Sequence, residues 1–150
     1  MRTKQVFLAT GSNLGDRQAH LANANTHIQN QIGTIVKASR VYETQAWGLQ
    51  DQPDFLNQVL EVATLLTPEQ VLYQIKEIEQ QLGRERLVKW GERIIDIDLL
   101  FYEQLVINEP NLKVPHPFLQ DRNFVLVPLH EIAPDFIHPT LGLSVAQLLN

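Results

Sequence analysis

Two aspartates interrupt one of the most apolar stretches of this chain. Residues 94–101 read Ile-Ile-Asp-Ile-Asp-Leu-Leu-Phe, a near-continuous apolar run of the kind that forms a buried strand. In a strand, residues i and i+2 point to the same face. Asp96 and Asp98 therefore stand side by side, roughly 6–7 Å apart at the backbone. Burying two like charges without a partner costs several kcal/mol, so a cation is expected beside them. Two readings are open. One is Mg²⁺, which prefers carboxylate oxygens and shares its shell with substrate phosphates. The other is a polar strand face paired with Lys or Arg.

Just before this strand lie Arg84, Arg86, Lys89 and Arg93. Arginine binds phosphate through two parallel hydrogen bonds and stays charged. An acidic strand beside a cationic loop meets the two needs of phosphoryl transfer: metal to bridge oxygens, and cations to neutralise developing charge. A solvated charge run is the plain alternative. Gly11-Ser12-Asn13-Leu14-Gly15 is rich in glycine but lacks the Gly-Lys-Ser/Thr ending of a P-loop. It reads as a strand-to-helix turn. Pro115-His116-Pro117 holds a histidine between two prolines, where it donates to a phosphate or fills a turn. Arg122 stands at a helix start, where a cation opposes the dipole, and this hints at a ligand role. Phe55, Phe124 and Trp47 suit either a core or stacking on a flat ring, and Trp90 suits stacking on a base or anchoring its loop.

Composition narrows the class. The chain has 150 residues, 44% hydrophobic and 19% charged, which suits one domain over residues 1–150 with its own core. It has no cysteine, which excludes disulfides and thiolate metal sites. A net charge of −5 makes it a poor non-specific binder of nucleic acid. No run of about 20 apolar residues or signal-type h-region is present. The expectation is a cytoplasmic monomer acting on small molecules, with no membrane or nucleic-acid partner.

Periodicity and punctuation outline the elements. Val6 to Ala9 reads as a strand. A helix capped by Asp16 or Asn13 runs to about Gln31, with Leu21, Ala24 and Ile28 on one face, and ends at Gly33. Thr34 to Tyr42 reads as a strand, Glu43 to Asp54 as a loop, and Phe55 to Leu65 as a strand. Thr67-Pro68-Glu69-Gln70 opens a helix carrying Val71, Leu72, Ile75, Ile78 and Leu82, stopped by Gly83. After the 94–101 strand, a helix spans Arg122 to Ile132. The order strand, helix, strand, strand, helix, strand predicts an α+β, ferredoxin-like fold (βαββαβ). Its four-stranded antiparallel sheet has helices on one face and extra C-terminal elements. The other face is left for loops and ligand.

The joint pattern resembles the 6-hydroxymethyl-7,8-dihydropterin pyrophosphokinase family of folate biosynthesis over nearly the whole chain. It rests on residues 11–15, Tyr42-Glu43-Thr44, Gln52-Pro53-Asp54-Phe55-Leu56-Asn57 and Gly83-Arg84-Glu85-Arg86. Trp90-Gly91-Glu92-Arg93, Asp96-Ile97-Asp98-Leu99-Leu100, Pro115-His116-Pro117 and Arg122-Asn123-Phe124-Val125-Leu126 complete it. The resemblance implies transfer of pyrophosphate from ATP to the pterin hydroxymethyl group, with release of AMP. By the same resemblance, Asp96 and Asp98 would hold two Mg²⁺ ions that bridge the ATP phosphates. Arg84 and Arg93 would stabilise charge on the triphosphate, and Arg86 and Trp90 would lie on a loop closing over ATP. His116, Arg122 and Glu79 would sit near the nucleotide. Phe55 and Phe124 would sandwich the pterin, with Asn57 and the Thr44 backbone reading its edge. Departures from the usual pattern are a slightly shorter loop after Arg86, Glu92 where proline is usual, Lys76 for a glutamine, and Phe55 and Pro117 for tyrosines.

Two rival readings come from other classes. A non-catalytic ligand-binding regulatory module would not need both aspartates. An RNA-binding sheet would want aromatic and basic residues on its strand faces, where this chain has two acids.

Overall fold

A computed structural model describes residues 2–44, 54–83 and 94–149. Its backbone is an antiparallel sheet between two helical layers. The strands are β1 (Lys4–Ser12), β2 (Gly33–Ala38), β3 (Tyr42–Thr44), β4 (Phe55–Thr64) and β5 (Asp96–Tyr102), in the order β2-β4-β1-β5 with β3 also on β4. Helices α1 (Arg17–Gln31) and α2 (Pro68–Gln81) connect them. A hairpin of β6 (Ile107–Glu109) and β7 (Leu112–Val114), a 3-10 turn at Leu119–Asp121, α3 (Asn123–Ile132) and α4 (Val145–Leu149) follow. Among the described residues, no helix is long and apolar enough to cross a membrane.

Local chemistry sets the helix starts. The Asp16 side chain accepts from Ala19 N at the head of α1. Thr67 and Gln70 form a reciprocal capping box at the head of α2, with Pro68 in the first turn.

The sheet buries both faces, because β1 is apolar at successive positions: Val6, Phe7 and Leu8 are fully buried. Val6 and Leu8 join Leu60, Val62, Ile97 and Leu99 under α1 and α2, where Leu21, Ala24, Ile28, Val71, Ile75 and Ile78 close the first core. Phe7 points the other way and meets Val59, Leu100, Phe101, Leu126, Leu129 and Val145 in the second core. Phe7, Phe101 and Phe136 pack edge-on and tilted, with centroids 4.6–6.1 Å apart.

Four expectations change. Helices cover both faces, not one, because α3 and α4 pack their apolar sides on the Phe7 face. The sheet has five strands rather than four. The expected single strand from Thr34 to Tyr42 is split around Ser39. The Ser39 N–H donates to Val59 O, its hydroxyl accepts from Val59 N, and its carbonyl accepts from Gln58 Nε2. That side chain takes over a rung of the ladder, and the chain resumes pairing at β3, so Glu43 and Thr44 are strand rather than loop. In addition, β1 extends through Gly11 and Ser12, which had read as a turn.

Strand β5 carries a bulge. Phe7 faces Phe101 but Leu8 faces Leu99, which leaves Leu100 as the extra residue. Both Leu100 and Phe101 consequently enter the second core. The Leu100 carbonyl accepts from His116 N at 2.9 Å.

Gly33, opposite Thr64, lies where a side chain has no room: a Cβ there would sit 2.2 Å from the Ala63 carbonyl oxygen. The obstacle is backbone, so Gly33→Ala is expected to destabilise the fold by about 2 kcal/mol or more. A urea titration checks this; an unchanged midpoint would show that β2 shifts freely.

Candidate active site

The cleft lies on the sheet face that α3 only partly covers. It encloses about 1000 Å³, with a floor built from three strands. In β1, Ala9 and Gly11 contribute almost no side chain. On one side Asp98 faces Ala9 and Asp96 faces Gly11; on the other, Val59 faces Ala9 and Asn57 faces Gly11. The pleat therefore aims Asp96, Asp98, Asn57 and Phe55 at one space. Gly11 keeps that space open, since a Cβ there would come within 3.2 Å of Asn57 Oδ1 and 3.8 Å of the Phe55 ring.

The β3–β4 end of the cleft suits a flat polar ring. Thr44 faces Phe55 across the last rung. Asn57, 8% exposed, donates from Nδ2 to Thr44 Oγ1 at 2.7 Å. This bond fixes the amide and turns Oδ1 toward the Gly11 side. Phe124 stands on the wall formed by α3.

Arg122, at the N-cap position of α3, spans the roof. Its guanidinium lies 5.6 Å from the Phe118 ring centre and 5.7 Å from that of Phe124, within cation–π range. The helix N-terminus behind it gives Arg122 no capping bond. Its charge is held there by the two rings, over a cleft that contains two carboxylates.

His116 sits at the β5 side. The bulged Leu100 carbonyl holds its N–H, and its Nδ1 accepts from Phe118 N at 3.3 Å. Burial lowers its pKa from the ordinary 6.5; the Arg122 charge lowers it further, and Asp96 partly offsets this. The ring is therefore neutral at pH 7, and with Nδ1 accepting, Nε2 carries the proton.

Glu79, which the resemblance sets near the nucleotide, lies behind the cleft. It is 6% exposed, on α2, and is not a wall of the cleft. Its Oε2 accepts from Ile97 N at 2.9 Å, the amide between the two aspartates. It thus ties α2 to β5 at the site's acidic edge.

Asp96, Asp98, Thr44, Phe55, Asn57, Phe124 and Arg122 come together around one cavity, with His116 adjoining. Arg84, Arg86, Lys89, Trp90, Glu92, Arg93 and Trp47 lie outside the described residues. Sequence reasoning missed Phe118, Asp121 and Asn123, which line the cleft. Their signal was weak: a lone Asp, Asn and Phe outside any paired or periodic pattern carry no chemistry that marks them in the sequence. Among the described residues, no three His, Asp or Glu side chains converge as a ready-made metal cage. Two carboxylates on one strand face suit an ion that keeps water and substrate oxygens in its shell.

The chain is similar to known proteins. A model of the family described as 7,8-dihydro-6-hydroxymethylpterin-pyrophosphokinase (HPPK) matches residues 7–134. The chain is 47% identical over 134 residues to the 2-amino-4-hydroxy-6-hydroxymethyldihydropteridine pyrophosphokinase of Aquifex aeolicus, across 89% of this chain and 83% of that one. It is 42% identical over 128 residues to the enzyme of the same name from Bacillus subtilis, across 85% and 77%. The backbone is also similar to wild-type Plasmodium falciparum HPPK-DHPS, with a TM-score of 0.78 at 17% identity. That alignment covers 99% of this chain and only 44% of the Plasmodium chain, and it speaks for the fold alone. On its match to the family model and its identity to these relatives, the chain belongs to the 7,8-dihydro-6-hydroxymethylpterin-pyrophosphokinase family.

Proposed function

We infer that this cleft is where the chain transfers pyrophosphate from ATP to the hydroxymethyl group of 6-hydroxymethyl-7,8-dihydropterin, a step of folate biosynthesis. The observation that carries the assignment is the convergence of Asp96 and Asp98 with Phe55, Asn57 and Phe124 on one cavity. The hydroxymethyl oxygen forms a bond to the β-phosphorus, the bond from that phosphorus to the α-phosphate oxygen breaks, AMP leaves, and the hydroxyl proton is released.

Phe55 and Phe124 hold the pterin from its two faces. Asn57 Oδ1 accepts from the ring's polar edge, with the Thr44 backbone beside it. Asp96 and Asp98 hold Mg²⁺, two ions in our reading. The donor set fits: two carboxylates on one face, above residues too small to fill the space. Bound there, Mg²⁺ would neutralise charge on the phosphate oxygens. Arg122 supplies a cation at the roof, and neutral His116 donates from Nε2 to a phosphate oxygen. Arg84 and Arg93 stabilise the triphosphate, and Arg86 and Trp90 cover bound ATP. Glu79 serves the nucleotide site indirectly, by holding the Ile97 amide and so the strand that bears both acids. Catalysis then comes from positioning and preorganised charge.

We further assign β1, α1, β2, β4, α2 and β5 to a ferredoxin-like core, on the antiparallel order β2-β4-β1-β5. Residues 1–150 are read as a single pyrophosphokinase domain. It works as a cytoplasmic monomer on dissolved substrates, without nucleic acid or membrane; its net charge of −5 supports the exclusion of nucleic acid. The regulatory-module alternative leaves the paired acids without a purpose.

Incubation with MgATP and the reduced pterin alcohol is expected to yield AMP and the pterin diphosphate. Asp96→Asn and Asp98→Asn should each lower kcat by about 100-fold or more without lowering the melting temperature. Near-normal turnover in either would refute the metal assignment.

His116 gives a pH signature. Its folded-state pKa lies below the ordinary 6.5, so the unfolded chain takes up the proton first. Its stabilising contribution is intact above pH 6.5 and fades as pH falls toward the lowered value. His116→Gln should lose less stability than the parent on acidification below 6.5, as read by urea midpoints. Parallel curves would show that the ring titrates normally.

A further inference from the structure

We propose that Arg17 is a positioning residue for the ring-binding end of the cleft: it locks the last rung of the β3–β4 pairing, which carries Thr44 and Phe55. The inference rests on the pterin reading above. Arg17 opens α1, directly after the Asp16 cap. A cation in a helix's first turn is opposed by the macrodipole, so α1 gains nothing from it. The side chain reaches elsewhere. Its Nη1 donates to Glu43 Oε2 at 2.8 Å and to the Asp54 carbonyl at 2.7 Å, and it is 29% exposed.

These acceptors flank the rung where pairing ends. Glu43 precedes Thr44 on β3, and Asp54 lies just before Phe55, the first residue of β4. Thr44 and Phe55 face each other although ten residues separate them in the sequence, more than the two-residue loop that fixes the register of a tight hairpin. A three-residue strand frays readily at such an end. Its other end is anchored: Tyr42 OH donates to Glu131 Oε1 at 2.6 Å, and Arg40 N also donates to Glu131. On the cleft face, Asn57 holds Thr44. Glu43 alternates to the opposite face, so Arg17 secures the rung from behind. Arg17 is not a wall of the cleft. It acts through Thr44 and Phe55, whose spacing decides whether a flat ring fits against Phe55 with its edge at Asn57.

Steady-state kinetics of Arg17→Ala, Arg17→Lys and Glu43→Gln test this. Arg17→Ala should raise KM for the pterin alcohol about fivefold while kcat and KM for ATP stay within about twofold. Arg17→Lys should recover most of the loss, because an ammonium has donors for both acceptors. Glu43→Gln should fall between, since the Asp54 bond survives. An unchanged pterin KM in Arg17→Ala, or an equal rise in KM for ATP, would overturn the proposal. Amide hydrogen exchange gives a readout independent of turnover: Arg17→Ala should speed exchange at residues 42–44 and 55–57, and unchanged exchange there would overturn it as well. Failure of the parent protein to make AMP would remove the pterin reading, while the exchange comparison would still decide what Arg17 does.

Discussion

The register of β5 on β1 is the constraint on which the site depends. With Asp96 opposite Gly11 and Asp98 opposite Ala9, both carboxylates rise from the sheet into open space. A slip of one residue would turn them into the core beneath α1 and α2, where Val6, Leu8, Ile75 and Ile78 lie. Ile97 and Leu99 would then lose their places in that core. Apolar burial and carboxylate placement thus enforce the same register. Glu79 adds a polar lock on the outer edge at Ile97 N. A buried carboxylate that accepts a backbone N–H is strongly committed to that geometry.

The bulge at Leu100 makes this register compatible with a second core. Strict alternation would place only every other β5 residue under α3 and α4. The extra residue sends both Leu100 and Phe101 there and presents a carbonyl to His116. One irregularity therefore anchors the C-terminal layer and sets a neutral imidazole beside the acidic pair. The roof follows from the same layer. Helix α3 packs Val125, Leu126 and Leu129 on the sheet, which leaves its first turn, with Arg122 and Phe124, overhanging the cleft.

Much of this was legible in the residues. Helices α1 and α2 announced themselves through caps and spacing, and Asp96-Ile97-Asp98 pointed to a shared face because the strand period is simple. What the sequence hid was non-local. Val125, Leu126 and Leu129 mark an apolar helix face, but nothing local says which side of the sheet it covers. Ser39 looks like an ordinary strand residue until its hydroxyl is seen accepting from Val59 N. The Leu100 bulge depends on pairing with a strand some ninety residues earlier in the chain. The resemblance set Glu79 near the nucleotide, but only the fold shows it buried against β5. The resemblance implied roles for single residues, and the structure adds which of them line one cavity and which lie behind it.

We propose that Asp96 and Asp98 jointly present a divalent-ion site to a nucleotide's phosphates within this cleft. Paramagnetic NMR with Mn²⁺ and a non-hydrolysable ATP analogue tests it most directly. Selective broadening is expected at Ala9, Gly11 and the amides flanking both aspartates, abolished when the two are changed together to asparagine. Broadening centred elsewhere on the protein, or unchanged in that double variant, would contradict it.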